Sequence, residues 1–238
     1  MKTSIYDKTR PLISIHIPKC AGTSFSDVLK KWYGKKLLTH YHSEKWNKRP
    51  KKYRLKRGLF KNKLLSGICI HGHFNNARGN GVEDYYPEIS QKITILRDPF
   101  DLHVSNFFYV KRQDVNNKKG ATRGGKPHEI IANKWSLEDF LRNRNKSYLL
   151  DFFPKRLTLE NYKEVLEEQY LYVGISEQLQ KSVEILSEVL GFESQSVPVS
   201  NISKKDEEIP DGAREKFQEE NHLEYAVYQY VCRNWGNQ

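Results

Sequence analysis

The sequence has 238 residues and a mass of 28.0 kDa, which suits one domain that buries an ordinary core without a disulfide or metal staple. Its 40 Lys and Arg against 29 Asp and Glu give a net charge of +11 and a pI of about 9.4, which calls for a polyanionic partner such as nucleic acid, an acidic membrane surface, a phosphorylated or sulfated ligand, or an acidic glycan. Whole-chain disorder is excluded by the 12% aromatic content and recurrent apolar periodicity, and a membrane span by the lack of any window near ~18 apolar residues.

The first ten residues, MKTSIYDKTR, lack the apolar core of a signal peptide. Leu12–Ile17 (LISIHI) then reads as a buried strand, followed by a turn with Gly22 and a helix whose apolar face carries Phe25, Val28, Leu29 and Trp32, ended by Gly34. Between Lys30 and Lys63 stand fourteen basic residues and one acid, Glu44; elsewhere 26 basic residues face 28 acidic ones. The excess charge therefore belongs to one segment, read as a basic insertion at about residues 35–66 that interleaves Trp46, Tyr53 and Phe60. It is either a ligand-facing arm or a solvated, partly helical surface.

Ile68–His71 is the second predicted strand and Lys92–Leu96 the third. Asp98 and Pro99 form an N-cap and first turn for a helix through about Lys111. The glycine- and lysine-bearing stretch from Gln113 to Trp135 reads as a mobile loop, and Ser136 with Asp139 as a capping box. Helices are predicted at Leu159–Glu168, along Leu179, Val183, Leu186 and Leu190 up to Gly191, and as one unit from Asp211 to Trp235. Leu171–Val173 is the fourth strand and Ser200–Lys204 a polar linker. The alternation specifies an α/β fold, a central mostly parallel sheet between helical layers, in one domain over 1–238. Cys20, Cys69 and Cys232 are scattered and odd in number, which excludes a disulfide framework or a cysteine zinc site and suits a reducing compartment. There the sequons at Asn145 and Asn201 carry no weight.

Three chemistry-bearing segments follow predicted strands, where ligands bind in such sheets. His16-Ile17-Pro18-Lys19-Cys20-Ala21-Gly22-Thr23-Ser24-Phe25 is a strand–turn–helix start. Small residues at Ala21 and Gly22 allow close approach of an anion, the helix N-terminus attracts it, and Thr23, Ser24 and Lys19 add donors. This is not the nucleotide-binding GxxxxGK[ST] loop, since Thr23 follows Gly22 directly and Lys19 precedes it. The same helix N-terminus would lower the Cys20 pKa, although no chemistry requires a thiolate there. Arg97 stands at a strand end, and Ser105 lies seven residues after Asp98, about two helical turns, so both can converge on one phosphate. The alternative is that Arg97 merely pairs with Asp101.

His71 and His73 point to the same side of a strand end, with Gly72 between them. An imidazole of pKa about 6.5 suits a general base at neutral pH. A zinc site would need a third ligand from His40, His42 or His16.

A PKxAGTSF-type loop after the first strand, with LRDPxxxxxS later, resembles the sulfotransferases that use 3′-phosphoadenosine-5′-phosphosulfate (PAPS). The likeness is to the uronyl and heparan 2-O carbohydrate type, whose catalytic HGH element is similar to His71-Gly72-His73. YVGISEQL, SNISKK and ENHLEYAVYQY follow in the family's order. The resemblance implies a P-loop-like three-layer sulfotransferase fold. It implies a 5′-phosphosulfate loop of Lys19, Ala21, Gly22, Thr23 and Ser24, and a 3′-phosphate site of Arg97 and Ser105. Catalysis would rest on Lys19 with His71 or His73, His71 being favoured as base. PAPS is the expected co-substrate and 3′,5′-ADP (PAP) the product, with no metal. Lys204 and the loops at 113–135 and 200–205 could close on the site. The expected partner is a hydroxyl acceptor, an acidic glycan, with no nucleic acid and no membrane span. No membrane anchor of the kind animal members carry is evident, which suits a cytoplasmic, bacterial-type enzyme. A P-loop-like small-molecule kinase and a non-enzymatic nucleic-acid binder using residues 30–63 are the competing readings.

Overall fold

The run LISI at Leu12–Ile15, β1, is buried at every position, as a strand covered on both faces must be. The computed structural model describes residues 5–43, 48–53, 66–115, 122–123, 126–143, 148–154, 156–197 and 208–235. After β1 come α1 (Gly22–Tyr33), β2 (Leu37–His40), β3 (Cys69–Gly72), α2 (Val82–Tyr85), β4 (Lys92–Leu96) and α3 (Pro99–Val115). A short antiparallel hairpin of β5 (Thr122–Arg123) and β6 (Lys126–Pro127) follows, then α4 (Glu129–Ala132), α5 (Leu137–Asn143) and α6 (Tyr162–Gln169). The remainder is β7 (Tyr172–Ile175), α7 (Leu179–Leu190), α8 (Ala213–Glu220) and α9 (His222–Asn234).

Five strands form one parallel sheet in the order β2-β3-β1-β4-β7, flanked by helices, which is the α/β architecture expected. Parallel neighbours require crossovers, and helices lie in those from β1 to β2, from β3 to β4 and from β4 to β7. The chain leaves β1 for the edge strand β2, returns to β3 beside β1, then crosses to β4 on the other side of β1. Such a reversal of direction opens a crevice at the carboxyl ends of the strands.

Local signals act where they were read. Asp98 Oδ1 accepts the Asp101 N–H at 3.0 Å and caps α3. Ser136 and Asp139 exchange hydrogen bonds at 3.1 Å in both directions ahead of α5. Gly191 ends α7 in the left-handed region, φ 68°. Helix α3 is buried nearly all round. Its Leu102 belongs to the sheet core, and Phe100, Val104, Phe107 and Phe108 belong to a second apolar cluster with Ile130, Phe140, Phe217 and Tyr225.

Other elements differ from expectation. Leu37–His40 is a strand, so the basic insertion predicted at 35–66 begins inside the sheet: parallel pairing with β3 overrides the charge pattern. The stretch 113–135, expected as a loop, contains the end of α3, the β5–β6 hairpin and α4. Helix α6 begins at Tyr162 rather than Leu159, because Asn161 accepts from Thr158 N–H at 2.8 Å and holds a turn there; Leu159 is 51% exposed. The C-terminal helix is two helices. Asn221 (φ −129°) breaks it, and its buried side-chain amide donates to the Phe217 carbonyl instead of continuing the ladder. Lys204, the 200–205 loop, both sequon asparagines, Trp46 and Phe60 lie outside the described residues. No helix among the described residues is long and apolar enough to cross a membrane.

Gly72 is the tightest backbone approach in the sheet, since a Cβ there would stand 2.0 Å from the His40 carbonyl oxygen. Backbone cannot yield as a side chain can. Gly72→Ala is expected to lower the unfolding free energy by at least about 2 kcal/mol, measured by urea denaturation.

Candidate active site

Register brings the three sequence segments side by side. Ile15 is level with Gly72 on β3 and with Thr94 on β4, so the residues that follow each strand emerge together. The His16 N–H donates to the Gly72 carbonyl at 2.8 Å, and Thr94 Oγ1 donates to the Ile15 carbonyl at 2.9 Å.

The turn after β1 carries two left-handed non-glycine residues, Lys19 (φ 68°) and Ala21 (φ 55°), flanking Cys20. Each costs on the order of 1 kcal/mol or more, strain of a kind concentrated at functional sites. Left-handed turns of this sort also gather backbone N–H groups into an anion-binding concavity. Ala21 precedes α1 without a side-chain cap, and no acid stands in the first turn, while Lys30 and Lys31 sit in the last. The helix thus leaves its positive end uncompensated at the loop. Thr23 is exposed there and Ser24 buried. Cys20 is buried, and burial pushes its thiol pKa up, so the expected lowering by the helix is overridden.

Lys19 Nζ stands 4.2 Å from the centroid of the Tyr109 ring. Burial, then Arg112 and Arg97, depress its pKa to about 8. Arg97 Nη1 donates to the Lys19 carbonyl at 3.1 Å, fixing the guanidinium against the loop. Pairing of Arg97 with Asp101 does not occur. Asp101 and Asp98 are both taken by Arg214 from α8, at 2.9 and 2.8 Å. Among the described residues neither Lys19 nor Arg97 has a carboxylate partner. Ser105 is buried in α3, and no hydrogen bond joins it to Arg97 among the described residues. Tyr109, one turn further along the same face, carries the Lys19 contact, so that face turns toward the loop.

The histidine pair is deeper than expected. His71 is 1% exposed, and its Nδ1 lies 2.9 Å from Ser14 Oγ on β1. Its Nε2 and that of His73 are buried without a hydrogen-bond partner among the described residues. His16 lies between the pair and the loop. Its ring stacks on His71 at 5.2 Å and 8°, and tilts over His73 at 4.6 Å. Its Nδ1 is 2.9 Å from the Tyr41 hydroxyl, and its Nε2 occupies the space where a Cβ of Gly22 would stand. Burial is the main cause that lowers His16 to about 4 and His71 to about 3, and it also holds His73 well below the ordinary value. His40, a possible third zinc ligand, stacks instead on Phe74 at 4.2 Å beside Tyr85 and Tyr86. Stacked rings such as His16 and His71 do not aim their lone pairs at one point, and no metal-holding group of three His, Cys, Asp or Glu occurs among the described residues.

Lys19, Ala21, Gly22, Arg97, His71 and His73 are thus brought to one crevice. Sequence reading missed Ser14, Tyr41 and Tyr109, and gave His16 only a possible metal role. The one signal for Ser14 was a hydroxyl inside an apolar strand; for His16, its place directly before the Lys19 loop. A separate cleft of about 250 Å³ between α5 and α8 shares none of these residues.

The profile of the Sulfotransferase family matches residues 2–233. Among solved structures, the crystal structure of mouse sulfotransferase SULT7A1 complexed with PAP aligns at 15% identity and a TM-score of 0.43. The alignment covers 82% of this chain and 62% of that one, so the chain spans less than two thirds of that protein's length. Comparison with curated proteins finds no match.

Imidazoles held neutral make stability depend on pH. The unfolded chain takes up protons at its histidines near the ordinary value of about 6.5, while folded His16 and His71 wait until about 4 and 3. Stability is therefore complete above pH 6.5 and falls as pH drops toward 4. His71 alone contributes a slope of about 1.4 kcal/mol per pH unit in that window. Urea midpoints measured from pH 7 to pH 4.5 should fall steadily, and His71→Gln should flatten the slope.

Proposed function

Since the chain belongs to the sulfotransferase family, we propose that it moves the sulfuryl group of PAPS to a hydroxyl of an acceptor and releases 3′,5′-ADP. The observation that carries this reading is the strained loop at Lys19–Ala21, braced by Arg97 and rich in cations that no described carboxylate neutralises. A cofactor bearing phosphates at two ends fits that donor set. The N–H groups and hydroxyls of Gly22, Thr23 and Ser24, with Ala21 and Lys19, would hold the 5′-phosphosulfate. Arg97 and Ser105 would hold the 3′-phosphate. Lys19 and Arg97 supply the positive charge, so transfer needs no divalent metal.

PAPS supplies an activated sulfuryl group, whose bond to the bridging oxygen breaks as the acceptor oxygen bonds to sulfur. Lys19 stabilises the charge that develops on that bridging oxygen. A neutral imidazole takes the proton of the acceptor hydroxyl. His71 is sequestered, with Nδ1 held at Ser14, while His73 lies just past the strand end and is partly exposed, although its Nε2 is buried. This difference favours His73 as the group that meets the acceptor and His71 as its support. Negative charge bound in the loop raises the pKa of the imidazoles beside it and brings the base nearer its working range.

The acceptor is an acidic glycan on this reading. Lys48, Arg49, Lys51 and Lys52 are exposed, and Tyr53 ties them to the sheet by donating its hydroxyl to the Thr39 carbonyl at 3.0 Å. Thr39 belongs to β2, which leads directly to Tyr41, so Tyr53 anchors this basic segment to the edge strand that delivers Tyr41 to the site.

In magnesium-free buffer, 3′,5′-ADP is expected to raise the melting temperature. Lys19→Ala or Arg97→Ala should weaken its binding about 10- to 100-fold, the value of a charge-assisted hydrogen bond. No shift with either 3′,5′-ADP or PAPS would remove the assignment. Labelled-sulfate transfer from PAPS to a glycan panel tests the acceptor, with His71→Ala and His73→Ala each expected to cut the rate. The affinity for 3′,5′-ADP should also fall as pH rises above about 8, because Lys19 loses its proton there; a flat profile to pH 9.5 by calorimetry would exclude Lys19 as a ligand.

A further inference from the structure

The His16 side chain touches both the anion loop and the histidine pair. On one side it fills the space above Gly22, the first residue of α1. On the other it stacks on His71 and lies over His73. An imidazole packed in this way can still rotate about its own bonds unless a polar contact fixes it. Tyr41 supplies that contact through the 2.9 Å hydrogen bond to Nδ1, and its ring also meets His73 edge-on at 4.8 Å. Tyr41 follows β2 directly, so pairing of that edge strand with β3 sets its position.

We propose that His16 and Tyr41 are positioning residues: Tyr41 pins the His16 ring, and the His16 ring holds His71 and His73 in register with the Lys19–Ser24 loop. The role rests on the sulfotransferase reading, in which the loop holds the cofactor and the pair supplies the base. The Phe25 ring of α1 meets His71 edge-on at 6.2 Å, and His16 adds a contact that spans both His71 and His73. With it, the transferring group and the proton acceptor share one packed contact, and the distance between them is set before the acceptor arrives. The groups facing this cluster are Lys19 toward His16, Lys30 toward His71, and Arg78 and His40 toward His73. These groups oppose protonation, whereas the hydrogen bond between Ser14 and His71 favours it and is outweighed by burial.

The test uses the full chain with histidine side-chain nitrogens observed by NMR. Resonances are assigned with His71→Gln and His73→Gln, and 3′,5′-ADP is titrated by calorimetry. Tyr41→Phe removes one hydroxyl and keeps the ring, so folding should survive; His16→Gln is the stronger variant. Both are expected to bind 3′,5′-ADP within about threefold of the parent. The His73 resonance should change from a single tautomer to an averaged one, and its titration midpoint should move upward toward the ordinary imidazole range. Unchanged His73 tautomer and midpoint in both variants would overturn the proposal. So would a loss of 3′,5′-ADP affinity large enough to make His16 part of the cofactor loop alone. If the parent protein itself fails to bind 3′,5′-ADP, the sulfotransferase reading falls, while the histidine titrations, which need no cofactor, still decide whether His16 and Tyr41 set the state of the pair.

Discussion

Strand β1 is hydrogen-bonded along both edges, to β3 through Leu12–Ile15 and to β4 through Ile13–Ile15, and almost everything of chemical interest hangs on that double pairing. Because all three strands run parallel, their carboxyl ends lie at one edge of the sheet. The Lys19 loop, the His71–His73 pair and Arg97 are separated by tens of residues in the chain, yet they occupy adjacent positions across the sheet. β1 is buried on both faces, and any slip in its register would turn the Ser14 hydroxyl away from His71 and leave it without that partner. The pairing is therefore strongly specified, and the site inherits its precision from it.

Two opposite electrostatic strategies meet in this crevice. On the loop side, cations gather without carboxylates: Lys19 rests on the Tyr109 ring, Arg97 on the Lys19 carbonyl, and the acids nearest to Arg97 in sequence are engaged by Arg214. That arrangement is costly unless an anion binds, because like charges and burial both oppose the protonated lysine. On the histidine side, rings are stripped of water and kept neutral by packing against one another. A neutral imidazole with an unpartnered nitrogen retains its lone pair for a proton. Arg214 contributes from a distance. By occupying Asp98 and Asp101 it secures the start of α3 and leaves Arg97 directed to the loop.

Several elements were legible because local chemistry decides them. Helix α7 has the predicted apolar face and the glycine stop, the capping pair precedes α5, and Asp98-Pro99 starts α3. Those signals act within one helical turn. The misread elements are the ones decided by distant partners. Leu37–His40 sits within a run of lysines and becomes a strand only because β3 offers a parallel edge. The C-terminal run keeps helical periodicity across Asn221, but its side chain finds the Phe217 carbonyl and breaks the helix. Burial, another tertiary property, reverses the expectation for Cys20.

By itself the sequence determined the fold class, the order of the motifs, and the residues of the loop, of the Arg97 segment and of the histidine pair. These follow from periodicity, capping chemistry and close spacing, all of which operate over a few residues. Only the tertiary structure decided that Arg97 braces Lys19 rather than pairing with Asp101, that His71 is sealed behind His16, and that Tyr41, drawn from the most basic stretch of the chain, reaches the site. The physical reason is that these contacts span from 25 to 78 residues of sequence, and parallel strand order, which no local pattern encodes, sets which distant residues meet. The charge of +11 acquires its meaning in the same way. As a total it is compatible with many partners. In the structure, Lys19 and Arg97 lie at the crevice itself, without a carboxylate partner among the described residues, while Lys48, Arg49, Lys51 and Lys52 are exposed.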